Sequence, residues 1–356
     1  DTDRSRGLGD VYKRQILAAM LLLCGGFGYE RLMADRDTDM NRKGELSDIA
    51  ESVTAIPLKP INGKSLTDAH DIQKDGNDLF LICQGILYRF NRQGELVCQI
   101  TQPEEIKVAG YLVHSLKKQL IVLGNVDDIY YYTFDGELLF KKKLRKDFNE
   151  EQLLSAVLYK GKIYTAERVI EKDTLHRTCV KQQVQVYDTC FQPLESHPIV
   201  EVSLTHPVLF PNLQSVRLCV SPDSGEMYAC SAPYQPEHLL RDSLFIHQTG
   251  GKEDIEEGEI PLFPVCMGSR YWMAANQDVE KTEQRYLFCW DRFENQAWQL
   301  NEGFTDDFFQ TGSVAKLEPM DLYGQTYSFT KFGKSLEISF PEAADSTVVF
   351  IVEMKA

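Results

Sequence analysis

From Leu79 to Lys142 the apolar and polar positions fall into short blocks that recur. Leu79-Phe-Leu-Ile-Cys83 is an unbroken apolar run ended by Gln84-Gly85. Ile86-Leu-Tyr-Arg-Phe90 follows, Asn91-Arg-Gln-Gly94 interrupts it, and Glu95-Leu-Val-Cys-Gln-Ile100 resumes. Runs of this length between turn residues predict strands. The stretch is written twice: Leu81, Tyr88, Gly94, Glu95 and Leu96 return 42 positions later as Leu123, Tyr130, Gly136, Glu137 and Leu138. A period of roughly 40–50 residues holding several short strands predicts propeller blades.

On that template the chain reads as an N-terminal strand, Glu51–Leu58, followed by four-strand modules. Module one has strands near 69–74, 79–83, 86–90 and 95–101, and module two near 110–116, 119–124, 128–134 and 137–143. Module three opens at Leu153, turns at Lys160-Gly-Lys162 and has its third strand at Val184–Asp188. Module four opens with Val216–Ser221 and the turn Pro222-Asp-Ser-Gly225, with a third strand at Ser243–His247. Module five contributes Arg270–Ala274 and Tyr286–Trp290, and module six Thr326–Phe329 and Thr347–Glu353. The 356 residues leave room for six such modules of roughly 50 residues and not for seven. Module six lacks one strand and Glu51–Leu58 has no module, so pairing 51–58 with 345–354 closes the ring and removes two exposed edges. The expected fold is an all-β, six-bladed β-propeller whose last blade is closed by the N-terminal strand, over residues 51–356.

The residues before it read differently. Asp1–Gln15 resembles a translated sequencing-adapter leader and is set aside from fold reasoning. Ile16–Cys24, within a 16–29 segment, is an apolar run too short to span a bilayer and of the length of a secretory h-region. Leu21-Leu-Leu-Cys24 resembles a bacterial lipobox with Leu23 where a small residue is usual, making Cys24 a lipidation candidate; ordinary cleavage or a short uncleaved anchor is the alternative. Residues 30–50 are charged and read as a tether.

Charge and cysteine narrow the function. A net charge of −15 argues against nucleic acid as a partner, because phosphate binding needs clustered Lys and Arg. The one basic run, Lys141–Lys146, reads as an edge strand blunted by Lys. The nine Cys show no CxxC and no zinc spacing, so no metal is expected; in an oxidising compartment Cys179–Cys190 and Cys219–Cys230 could bridge neighbouring strands. No GxSxG, HExxH, P-loop, GxGxxG or EF-hand loop occurs, and no cofactor is expected. Trp290-Asp291 occurs once and reads as chance; Asp135, Asp188 and Asp291 end third strands and should shape turns.

The N-terminal strand Glu51–Leu58, the blades with Tyr-x-Phe/Tyr before a Gly-Glu-Leu turn, and a closing strand ending in Val352-Glu-Met-Lys355 together resemble the NHL/TolB-like six-bladed envelope propellers, commonly lipoproteins of Gram-negative gut bacteria. The resemblance implies fold and cell-envelope location, lipid-anchored or periplasmic, more than chemistry.

Strand alternation puts second-to-third and fourth-to-first connections on one face. There the long segments Val169–Lys181, Leu204–Gln214, Ser231–Asp242, Asn276–Gln284 and Asn301–Gly312 gather, and long loops carry function. Binding candidates on that face are His176, Arg177, His206, Tyr234, His238, Arg241 and Arg285, while His197-Pro and His206-Pro read as turns. Two functions compete. One is a non-catalytic monomer that binds an envelope protein or glycan and touches the membrane only through its anchor. The other is a channel-centred sugar or lactone hydrolase or lyase. Carboxylates, Asn and His converging at the channel mouth would favour the enzyme; an apolar or plugged channel favours binding.

Overall fold

The computed structural model describes residues 44–100, 108–124, 128–143, 153–172, 178–204, 216–220, 225, 227–231, 262–267, 270–277, 284–291, 293–294, 296–300, 303–336, 338–343 and 345–355. After a single helical turn, Leu46–Ile49, comes β1 (Ala50–Pro57). The first blade follows as β2 (Ala69–Asp75), β3 (Asp78–Cys83), β4 (Ile86–Asn91) and β5 (Leu96–Ile100). The second is β6 (Val108–His114), β7 (Gln119–Gly124), β8 (Asp128–Thr133) and β9 (Leu138–Lys143). The third is β10 (Leu153–Tyr159), β11 (Lys162–Lys172), β12 (Thr178–Asp188) and β13 (Pro193–Leu204). A hairpin of β14 (Val216–Val220) and β15 (Met227–Ser231) comes next, then a blade of β16 (Leu262–Met267), β17 (Tyr271–Gln277), β18 (Gln284–Asp291) and β19 (Gln296–Gln299). The chain ends with β20 (Phe304–Asp306), β21 (Gly312–Val314), β22 (Glu318–Pro319), β23 (Thr326–Phe332) and β24 (Thr347–Met354).

The fold is an all-β propeller. Four sheets are antiparallel meanders of four chain-consecutive strands, and a fifth has the order β1-β24-β23-β22. The described residues thus show four complete blades and a closing sheet rather than six complete blades; the strand expected at 243–247 lies outside them. The closure itself is present: Val53 pairs with Val352, Ala55 with Phe350 and Pro57 with Val348.

The unbroken apolar runs have a simple cause. A strand buried on both faces serves two neighbouring sheets, and its period-2 alternation divides the side chains between them. Phe80 and Ile82 of β3 join Leu120, Val122, Tyr130 and Tyr132 in the core shared with the second blade. Leu79, Leu81 and Cys83 face the other way, into a core with Ile56, Val349 and Ile351 of the closing sheet. β7 repeats the device, sending Ile121 and Leu123 against Ile163 and Tyr187 of the third blade. Tyr271 and Cys289 of the β16–β19 blade share a core with Phe329 and Phe350, whose rings stack 4.5 Å apart.

Several expectations are corrected. Val169–Lys181 is not a loop: β11 and β12 pair from Val169↔Lys181 out to Lys172↔Thr178. The β-branched residues Val169, Ile170 and Val180 there suit a strand better than a turn. Asn301–Gly312 contains β20 and the start of β21, and Phe304 is fully buried. His197-Pro is no turn either, since both residues lie in β13, where a bulge between Gln182 and Gln183 of the partner strand accommodates the proline. Cys179 stands at one end of β12 and the free thiol Cys190 beyond the other, too far apart for a bridge. Cys219 sits opposite Tyr228 and Cys230 opposite Arg217, so that pair is out of register.

The third-to-fourth turns share one device. Asn91 Oδ1 accepts from the backbone N–H of Gln93 and Glu95, Asp188 Oδ1 from Cys190 and Gln192, and Asp291 Oδ1 from Phe293 and Glu294. In the second blade Thr133 takes this place, its hydroxyl oxygen accepting from Glu137 N–H at 3.1 Å while its own backbone N–H donates to the Glu137 carbonyl at 2.9 Å. Asp135 is therefore not the turn-former there; it pairs with Arg89 Nη1 at 2.9 Å and ties the second blade to the first. β9, on the outside of its sheet, ends Lys141-Lys-Lys143, and Lys141 meets Asp128 at 2.8 Å, as a Lys-blunted edge should.

Candidate functional site

The inner strands set the geometry. β2 adjoins β6, β6 adjoins β10, β10 adjoins β14, and β2 also meets β23 of the closing sheet. The turns joining first to second strands are tight: Gly76–Asn77 in the first blade, and Lys160–Gly161 in the third, where both residues have positive φ. On the opposite face lie the longer connections 58–68 and 333–346.

On the tight-turn face the centre is crossed. The turn from β22 to β23 leaves its own sheet and reaches the third blade and the β14–β15 hairpin. Val220 N–H donates to the Leu322 carbonyl at 2.8 Å, and the Tyr159 and Tyr323 rings meet edge to face at 6.4 Å. Tyr159 also donates to the Gly225 carbonyl at 2.9 Å, as does Lys160 at 3.2 Å. A hydrogen bond with Tyr323 holds the Tyr159 phenol below its usual range, with Lys160 acting the same way. The turn is fixed from within: the Asp321 carboxylate accepts from Tyr323 N–H at 2.6 Å, Gln325 N–H at 3.1 Å and Thr326 N–H at 2.5 Å. This segment is a plug.

On the loop face a cleft of about 260 Å³ lies between the closing sheet and the first blade. Its walls come from the start of β2 (Ala69, Ile72), the approach to β22 (Ser313–Lys316 and Glu318) and β23 (Ser328–Lys331). Lys316 and Glu318 pair at 2.8 Å. Lys331 donates to the Ser313 carbonyl, and burial pushes its ammonium below the usual lysine range. Among the described residues no carboxylate is in ion-pair contact with Lys331. Ser328 is fully buried and its hydroxyl has no partner.

Beside the cleft β2 is bulged between His70 and Gln73, and Asp71 has φ +51°. The Tyr111 hydroxyl of the second blade, between the carbonyls of Asp71 at 2.5 Å and Phe80 at 2.7 Å, pins that bulge. Burial raises the Asp71 carboxyl, and the Glu318 charge raises it further. Left-handed backbone at a non-glycine residue whose own carboxyl is raised, beside a cleft holding a partly buried lysine, makes this the candidate site among the described residues. No group of three or more His, Cys, Asp or Glu placed to hold a metal occurs among the described residues.

Of the sequence candidates, His176, Arg177, His206, Tyr234, His238 and Arg241, with Cys24, lie outside the described residues, as do 205–215 and 232–261. Arg285 belongs to β18, opposite Asn276, rather than to a loop. Inner-strand His114 is buried, which lowers its pKa. Asp291 shapes its turn as expected, and in addition receives Arg270 Nε at 3.0 Å and Nη2 at 2.8 Å. Asp71, Lys316, Glu318 and Lys331 were not singled out from sequence. The only signal was their place at the ends of inner or second strands, which carries no weight until the register is known.

No family model matches the chain, and no curated protein does. Among solved structures it is similar to a protein of unknown function from Bacteroides caccae, 14% identical, TM-score 0.34, over 65% of this chain and 81% of that one. It is also similar to the RRP9 WD40 repeats, 9% identical, TM-score 0.39, over 88% of this chain and 99% of that one. A third is the Myceliophteria thermophila Cps50 (Swd1) beta-propeller domain, 9% identical, TM-score 0.40, over 85% of this chain and 100% of that one.

Proposed function

We propose that the chain is a non-catalytic, six-bladed propeller that binds a partner protein or a glycan through its long-loop face. The observation that carries this reading is the plug. Leu322 and Tyr323 are held against Val220 and Tyr159, so the β22–β23 turn stands across the path of a through-channel on the tight-turn face. A propeller obstructed in this way suits docking better than passage, and fold alone licenses no chemistry. The sixfold count is supported by chain order: β14–β15 stands fourth, β16–β19 fifth and the β1-closed sheet sixth. The apolar run ending at Cys24 supports an envelope location with a lipid anchor, in the manner of the NHL/TolB-like propellers, and a monomer exposed to envelope proteins and glycans.

The test compares the two faces. Replacing 232–242 by a short Gly-Ser linker should lower capture of envelope protein or glycan by at least about tenfold, whereas Lys160→Glu on the tight-turn face should leave it unchanged. The reverse ranking, or no effect of either change, would sink the proposal.

A further inference from the structure

The cleft between the closing sheet and the first blade has a chemical character of its own. Its ionisable lining is Lys316, Lys331 and Glu318, a net charge of +1 in a chain whose overall charge is −15. Lys316 and Glu318 pair at 2.8 Å, which leaves Lys331 as the cation of the lining with no carboxylate in ion-pair contact. Its ammonium donates to the Ser313 carbonyl, and the Asp306 carboxylate acts on it from beyond ion-pair range; a partly buried ammonium with no carboxylate in contact is expensive to keep, and such a carboxylate is the partner it lacks. Hydroxyl chemistry surrounds it. Ser328 offers an unpartnered hydroxyl, Thr330 makes only a long 3.5 Å contact to the Ala69 carbonyl, and Ser313 presents its carbonyl. At roughly 30 Å³ per water, about 260 Å³ corresponds to about nine waters, enough space for one sugar ring.

We propose that this cleft binds a small hydroxylated carboxylate of monosaccharide size, a hexuronate, with the Lys331 ammonium taking the carboxylate and the Ser328–Thr330 wall meeting its hydroxyls. The assignment rests on the loop face being a binding face and names the ligand class of one subsite there. Loss of hexuronate binding with envelope capture intact removes this assignment alone.

The experiment uses the full chain and D-glucuronate, with D-glucose as the neutral isostere, followed by isothermal titration and ligand-observed NMR at about 10 mM, where a Kd of 1 mM gives about nine-tenths occupancy. Glucuronate should bind at least about tenfold tighter than glucose. Lys331→Met should weaken it at least about tenfold, while Lys331→Arg keeps it within about threefold. Ala315→Glu, which adds a carboxylate to the lining and leaves Lys331 in place, should weaken it about fivefold or more, and guards against a Lys331→Met chain that does not fold. No glucuronate binding by the wild-type chain, equal affinity for glucose, or undiminished binding in Ala315→Glu or in a folded Lys331→Met chain overturns the proposal.

Discussion

Gly94 and Gly136 occupy the same position in two copies of one repeat, and the structure predicts that they respond differently to alanine. Both have positive φ, +73° and +85°, so a methyl group at either place costs about 1–2 kcal/mol in backbone conformation. Their surroundings differ. At Gly136 a Cβ would lie 3.3 Å from the Gln99 carbonyl oxygen, a contact that a small shift relieves. At Gly94 it would lie 1.8 Å from the Pro57 carbonyl oxygen and 2.8 Å from its carbon, where backbone must move. Pro57 is the last residue of β1, paired with Val348, and Lys59 N–H donates to the Gly94 carbonyl at 2.8 Å. Displacing it loosens the closing strand, adding about 1–3 kcal/mol for overpacking and about 1 kcal/mol for the hydrogen bond. Gly136→Ala should therefore lose about 1–2 kcal/mol and Gly94→Ala about 3–6 kcal/mol. Urea titrations read the difference directly, and at about 2–4 °C per kcal/mol the thermal midpoints should separate by about 4–16 °C. Equal destabilisation of the two variants would refute the argument that the turn of the first blade bears on the closure.

Four further outcomes are expected. Thr347→Val removes a buried hydroxyl that donates to the Leu66 carbonyl, leaves that acceptor unpaired, and should lower stability by about 1–3 kcal/mol in urea. Asp291→Ala takes away the carboxylate that Arg270 grips with Nε and Nη2 and uncaps a turn, and should cost about 3 kcal/mol. Burial alone would raise the Asp291 carboxyl, but Arg270 and the Glu294 and Phe293 N–H groups outweigh it and hold the carboxyl below its ordinary value. Its stabilising share is thus complete above the unfolded value of about 3.9 and disappears as pH falls through the lower folded value, so Asp291→Asn should flatten that acid limb of the stability profile. Asp321→Ala releases three backbone N–H groups of the plug, and hydrogen exchange should speed up at Tyr323, Gln325 and Thr326 while β3 and β7 stay protected.

How much of this was legible in the sequence depended on where the information lay. The first two blades were readable nearly to the residue, because Leu79–Cys83 and Gln119–Gly124 are buried on both faces and their turns are marked by Gly85, Gly94 and Gly136. The closing pair was readable because Thr347–Met354 is apolar throughout and the N-terminal strand had no other partner. The length of β11 and β12 was misjudged because Glu171, Lys172 and His176 look loop-like, whereas pairing to Lys172↔Thr178 is imposed by the ladder. The cleft was invisible for a different reason. Lys316, Glu318 and Lys331 become neighbours of Ala69 and Ile72 only when the ring closes, and the Asp71 bulge is held by Tyr111 from the next blade. A search for histidines and arginines on long loops weighs residue type and segment length, and these residues offer neither.

The pairing of β1 with β24 also sets a clock on biosynthesis. Ala50 is the partner of Met354, so the first strand of the propeller is made about 300 residues before the strand that receives it. At 5–20 residues per second that is a wait of about 15–60 s. Through that interval β1 presents an unpaired edge and the inner face of the first blade lacks Val349 and Ile351, which later cover Leu79 and Leu81. The early blades must therefore be kept from pairing with strangers until synthesis is almost complete, and a chain cut short by its last ten residues would display both halves of the seam at once.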